Sequence, residues 1–260
     1  MITIKTQEEI SIMREGGHRL ATVLSHVVSR VQPGIAIKEL DALAEQEIRT
    51  SGGDPIFLGY RSSKRGIPYP ATLCVSINDE VVHGVGTRDI VLKEGDIVGL
   101  DIGLRYPAKN GLCVDMAVTV GVGSINKEAQ RLIATAKSAL DASIALVRPA
   151  VQTRELARAI QAICRQEKVS PVRDLTGHGI GRSLHEEPPL FCYDDPRLPS
   201  VELKEGMVLC IEPMILAGDW RVTTDADGWT IRSADGSLAS HYEHTIAVTA
   251  NGHEVLTQLD

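Results

Sequence analysis

Ile10, Met13, Leu20, Val23, Leu24, Val27 and Val31 recur at near-helical spacing behind Thr6-Gln-Glu-Glu9, until Pro33-Gly34 stops the run. Thr6 and Glu9 have the spacing of a capping box, so the pattern predicts a first helix that starts at Thr6. A second helix is expected over Ile37 to Thr50, with Leu40, Leu43, Ala44 and Ile48 inward. Turn-forming residues dominate from Ser51 to Pro70, including Arg61-Ser-Ser-Lys-Arg-Gly-Ile-Pro68. Strand-like stretches follow at Thr72–Ile77, Ile97–Arg105 and Cys113–Val122. Two more helical segments, Lys127–Leu146 and Thr153–Gln166, precede a second β-rich half that ends near Leu256.

The halves echo each other. Val31-Gln-Pro33 leads to Glu39-Leu40, and Val147-Arg-Pro149 leads to Glu155-Leu156, an offset of 116. Leu92-Lys-Glu-Gly95 returns as Leu203-Lys-Glu-Gly206, and Asp101 as Glu212, each at an offset of 111. His83-Gly-Val-Gly86 resembles His178-Gly-Ile-Gly181. Ordered matches at nearly constant offset predict an internal duplication: two pseudo-symmetric α/β lobes over about 6–122 and 126–256, with a site shared between them.

Period-two alternation brings out the chemistry. Asp101 shares its strand face with Gly99 and Gly103, and Asp115 shares its face with Cys113 and Ala117. Glu212 follows Val208 and Cys210 on one face, and Glu243 aligns with His241 and Thr245. Carboxylates inside apolar strands are costly unless a cation or strong donors compensate, and four of them together call for positive charge between them. His178 and His185 lie in a glycine-rich stretch, Thr176-Gly-His-Gly-Ile-Gly-Arg-Ser-Leu-His185, that is expected to be a loop approaching a ligand. A donor set rich in carboxylates with one imidazole suits Mn, Fe or Co, with Zn admissible. His18, His26 and His253 are expected at the surface, and His244 is expected to pack or bond away from Glu243.

Composition narrows the class. Five cysteines, with no Cys-x-x-Cys pair, argue against a disulfide framework or a thiolate zinc site and for a reducing, cytoplasmic setting. A net charge of −7 gives no basic footprint for DNA. No apolar run approaches the ~18 residues of a transmembrane helix. Cys74 has no base beside it in sequence, so a thiol nucleophile is not favoured.

Several segments, in this order, resemble the type I methionine aminopeptidases: Ser76-Ile-Asn-Asp-Glu-Val-Val-His83-Gly84, Gly95-Asp-Ile-Val-Gly-Leu-Asp101, Asp115, Thr176-Gly-His178 through His185-Glu-Glu-Pro188, Ile211-Glu212-Pro213-Met214 and Tyr242-Glu243-His244-Thr245. The resemblance runs from about Thr3 to Leu256. It implies an α+β pita-bread fold, one catalytic domain over residues 1–260 with the lobes around a curved antiparallel sheet. It also implies two divalent metal ions (Co, Mn, Fe or Zn). Asp101 would be a terminal ligand to one ion, His178 and Glu212 would hold the other, and Asp115 and Glu243 would bridge.

By the same resemblance Glu212 accepts the proton of the nucleophile, His83 contacts the substrate near the scissile bond, and His185 bonds its carbonyl. Tyr60, Tyr69, Cys74 and Trp229 match the methionine pocket, while Phe57 and Leu184 stand where many members have Cys and Phe. The Tyr60–Tyr69 loop and the Asp101–Asp115 spacing are longer than the common pattern. The implied substrates are N-termini of nascent polypeptides at the ribosome, with a small second residue, cleaved by a monomer with no membrane partner. The competing readings are a prolidase or X-Pro aminopeptidase, a relaxed aminopeptidase acting on finished peptides, and a non-catalytic binding protein on the same fold.

Overall fold

The computed structural model describes residues 2–62 and 66–258. In the first half, α1 (Gln7–Ser29) and α2 (Ile37–Thr50) are followed by β1 (Asp54–Pro55), β2 (Leu73–Ile77), β3 (Glu80–Val82), β4 (Ile97–Tyr106) and β5 (Leu112–Gly121). The second half opens with α3 (Lys127–Ile144) and α4 (Thr153–Glu167), then β6 (Ser170–Pro171), β7 (Gly177–Gly179), β8 (Glu186–Leu190) and β9 (Val208–Ile211). It continues with β10 (Met214–Leu216), β11 (Val222–Thr224), β12 (Ile231–Ser233), β13 (Ala239–His241), β14 (His244–Thr249) and β15 (Gly252–Val255). The helices lie within two residues of the sequence expectation, because their caps are local. The Thr6 hydroxyl accepts from the Glu9 N–H at 3.2 Å, and the Glu9 carboxylate accepts from the Thr6 N–H at 2.9 Å.

Every strand pairing among the described residues is antiparallel. In one sheet β4 pairs with β1, β2 and β5, and in another the order is β15-β14-β9-β7-β8. The two helix pairs build two cores: α1 and α2 bury Met13, Leu24 and Leu40 against Leu100 and Val114, while α3 and α4 bury Leu140 and Ile160 with Leu209 and Ile215. This is the α+β pita-bread architecture expected from the sequence. The corners before α2 and α4 are bonded alike. Gly34 N–H donates to Leu92 and Leu92 N–H to Ile35, just as Ala150 N–H donates to Leu203 and Leu203 N–H to Val151. Those pairs stand at the offsets of 116 and 111 read from the sequence.

A seam joins the halves. Ala117 on β5 and Glu243 exchange both backbone hydrogen bonds, at 3.3 and 2.9 Å. Two residues to one side, Thr245 Oγ1 accepts from Asp115 N–H at 3.0 Å and donates to the Asp115 carbonyl at 2.8 Å. Two residues to the other side, Thr119 Oγ1 accepts from His241 N–H at 2.9 Å and donates to the His241 carbonyl at 2.8 Å. Threonine hydroxyls thus continue the ladder, meeting the backbone N–H and carbonyl of Asp115 and of His241.

The inner edge of the first sheet depends on a residue that patterning does not reveal. Asp41 is buried on α2, and its Oδ1 accepts from Thr72 N–H and Leu73 N–H, each at 2.8 Å, where β2 begins. Asp41→Ala leaves two buried donors without partners, so stability should fall by about 2–6 kcal/mol, at ~1–3 kcal/mol per orphaned group. A lowered urea midpoint checks this; an unchanged one contradicts it.

Candidate metal centre

Asp101 stands in the middle of β4, flanked by Cys74 on β2 and Ala117 on β5, and Asp115 stands on β5 opposite Gly103. The alternation expected from sequence is therefore the one observed. Gly103 leaves space on that face: a Cβ there would lie 2.7 Å from the Ile56 side chain and 2.8 Å from the Phe57 ring. Glu212 and Glu243 sit just beyond strand ends rather than within strands. Pro213 has no N–H to continue β9 past Ile211, and Glu243 forms an isolated bridge between β13 and β14.

His178 corrects an expectation: it lies in the short strand β7, not in a loop. The glycines around it allow close pairing rather than irregularity. A Cβ at Gly177 would meet the Cys210 carbonyl at 2.4 Å, and one at Gly179 the Glu187 carbonyl at 2.3 Å. His185 follows in the connection between β7 and β8, with its ring 4.4 Å from that of His178, edge to face. His83 holds a left-handed backbone, φ 59°, unusual for a non-glycine residue and of the kind that persists where function requires it.

All eleven site residues predicted from sequence line one cavity of about 300 Å³. At its apolar end Tyr69 and Trp229 meet edge to face at 5.2 Å, with Tyr60 beside them and Phe57 and Leu184 completing the wall. Tyr60 also reaches the chemistry, its hydroxyl 2.7 Å from His185 Nδ1. Residues 63–65 of the long loop lie outside the described residues.

Ligand atoms of Asp115, His178, Cys210 and Glu243 come within 4.8 Å of one another, as do those of Glu212, His241 and Glu243. Asp101 lies close enough for its charge to raise the pKa of Asp115. Cys210, His241, Thr119 and Thr245 were not singled out from sequence. The alternation that aligned Glu243 with His241 and Thr245 was the available signal. His244 bonds Thr257 at 3.0 Å, away from Glu243 as expected. His253 is half-buried rather than at the surface, since its ring meets the Val147 carbonyl at 3.0 Å.

A family model described as metallopeptidase family M24 matches residues 11–250. Methionine aminopeptidase 1 of Bacillus subtilis is 40% identical, with all of both chains covered. The crystal structure of a methionine aminopeptidase from Thermotoga maritima superposes with a TM-score of 0.92 at 38% identity, covering 99% of this chain and 100% of that one. The chain belongs to the methionine aminopeptidase family. It is a metallo-aminopeptidase. The prolidase of Pyrococcus furiosus, 23% identical with a TM-score of 0.76 over 99% of this chain and 66% of its own, shares the fold.

The electrostatics of this metallo-aminopeptidase fit its family. Burial raises the pKa of all four carboxyls, and neighbouring carboxylates add to the rise at Asp115, Glu212 and Glu243. Two carboxylate charges about 5 Å apart at an effective dielectric of ~20 repel by roughly 3 kcal/mol. Buried oxygens on Asp101, Asp115 and Glu243 have no hydrogen-bond partner. Such atoms call for a divalent cation, and the residues present fit one. Burial lowers His178 to about 3 and His83 to about 4, so both rings are neutral near pH 7.

Metal-free protein folds with more protons on these carboxyls than the unfolded chain carries, so their contribution to stability is lost as pH rises through their raised pKa values. The buried histidines work in the opposite direction, because the folded state binds fewer protons than the unfolded one. A divalent ion needs the carboxylates ionised and His178 unprotonated, so on both counts its binding strengthens with pH. The Tm gap between protein with Mn²⁺ and EDTA-treated protein should widen from about pH 5 to about pH 7.5. A gap that is constant or narrows would contradict the assignment.

Proposed function

We propose that the enzyme removes the initiator methionine from nascent polypeptides and peptides whose second residue is small, using two divalent ions held at the seam. The observation that carries the reading is the set of partnerless buried carboxylate oxygens beside a neutral imidazole, in a cavity also lined by aromatic side chains. The names of the relatives support the substrate. In this reading Asp101, Asp115, His178, Glu212 and Glu243 would hold the ions. His178 is oriented for this, because its Nδ1 lies 2.9 Å from the Gly179 carbonyl and must donate, leaving Nε2 a free lone pair. Bound there, divalent ions supply Lewis acidity toward the scissile carbonyl and toward water.

The protein groups carry the rest. Glu212 accepts a proton from the attacking water. Burial raises the Tyr60 pKa and lowers that of His185, so both are neutral, and in this reading the phenol O–H donates to Nδ1 across 2.7 Å. His185 is thereby left with its proton on Nε2, ready to donate to the substrate carbonyl as negative charge develops on oxygen. His83 helps the proton reach the leaving amine. Tyr69, Trp229, Phe57 and Leu184 offer the apolar and aromatic contacts that suit an unbranched thioether side chain. Burial pushes the Cys74 thiol well above its ordinary range, so it packs in the wall as a thiol and not as a nucleophile.

With added divalent metal the protein should release methionine from Met-Ala-Ser and leave X-Pro peptides intact. Asp115→Ala should abolish both metal binding and turnover. Hydrolysis of X-Pro peptides with Met-Ala-Ser untouched would replace this reading with that of a prolidase.

A further inference from the structure

The chemistry above leaves one buried histidine of the cluster without a task. His241 ends β13, opposite Met214 of β10, and is 3% exposed. Its Nε2 lies 3.5 Å from Glu212 Oε2, while the other oxygen, Oε1, lies 3.5 Å from His178 Nε2. Glu212 therefore has one imidazole at each carboxylate oxygen. The Nε2 atom of His241 is buried and has no hydrogen-bond partner.

The two rings differ in what fixes their protons. At His178 the Gly179 carbonyl accepts from Nδ1, which leaves Nε2 unprotonated as a ligand. At His241, among the described residues, every hydrogen bond belongs to the backbone, which Thr119 Oγ1 clamps at both N–H and carbonyl. Nothing there selects Nδ1 as the donor. What faces Nε2 is a carboxylate oxygen, which only accepts once ionised. The favoured tautomer carries its proton on Nε2, pointing at Glu212.

We propose that His241 is a positioning residue for the metal centre, its Nε2–H donating to Glu212 Oε2 so that Oε1 is presented on the His178 side. The proposal rests on the metal-ligand role of Glu212 given above. A closure of about 0.5 Å from the present 3.5 Å separation makes this a normal hydrogen bond. Glu212 follows the last residue of β9 and precedes a proline, so no strand pairing fixes its side chain. A donor on one oxygen holds the rotamer that the ion requires, and the Thr119 clamp fixes the backbone that carries the donor.

The test is Co²⁺ binding by calorimetry, with the visible absorption of the bound ion, on the full-length wild-type, His241→Ala and His241→Gln proteins. Expected is a loss of about 10–100-fold in Co²⁺ affinity for His241→Ala. His241→Gln, whose amide N–H can reach the same oxygen, should recover most of that loss, and all three spectra should keep the same band positions because the donor set is unchanged. His241→Asn, too short to reach Glu212, stands in for the alanine variant where that fails to fold. Wild-type affinity in His241→Ala would overturn the proposal alone. Equal losses in both variants with shifted bands would make His241 a direct ligand and overturn it as well. Wild-type protein that binds no Co²⁺ would remove the metal reading, and this proposal with it.

Discussion

Repulsion among four carboxylates, three of them buried and Glu212 half-buried, is the constraint on which the rest of the structure turns. Each buried one costs several kcal/mol to desolvate as an ion, and together they oppose one another, so the arrangement needs a rigid frame and either protons or a compensating cation. The frame is the seam where β5 meets residues 241–245. Ala117 and Glu243 pair there directly, and Thr119 and Thr245 extend the pairing on either side. Asp115 and Glu243, one from each half, are thus fixed by backbone rather than by side-chain packing. A cation held between them would be attracted to both halves.

The apolar end of the cavity follows from the same frame. Gly103 leaves room for Ile56 and Phe57 on the face it shares with Asp101, and Tyr69 and Trp229 meet edge to face in the cavity wall. Tyr60 belongs to both ends at once: it lines the wall, and its hydroxyl lies 2.7 Å from His185 Nδ1.

Much of this was legible in the sequence, and the exceptions have physical causes. Asp101 and Asp115 were readable because a strand alternates strictly, and an acid on a small-residue face stands out. The helix starts were readable because caps are local. The strand at His178 was not, because glycine signals irregularity in sequence while here it permits close approach to Cys210 and Glu187, which only the fold brings near. Asp41 reads as a polar position between Leu40 and Ala44, and its burial depends on the arrival of Thr72 and Leu73 from 31 and 32 residues away. His241 shared a face with Glu243 in the pattern, but a single histidine carries no signal until its neighbour across the sheet is known. The repeated offsets of 116 and 111 reappear in the backbone bonding of the two helix-entry corners, a level at which sequence and structure speak of the same positions.

Anomalous diffraction from crystals of the Mn²⁺-loaded protein shows whether divalent cations, rather than protons or arginines, balance the carboxylates at the seam. Two peaks roughly 3.5–4 Å apart are expected, one toward Asp101 and one toward His178 and Glu212, with Asp115 and Glu243 between them. No peak among these residues, or peaks only at surface acids, would contradict that role for the cations.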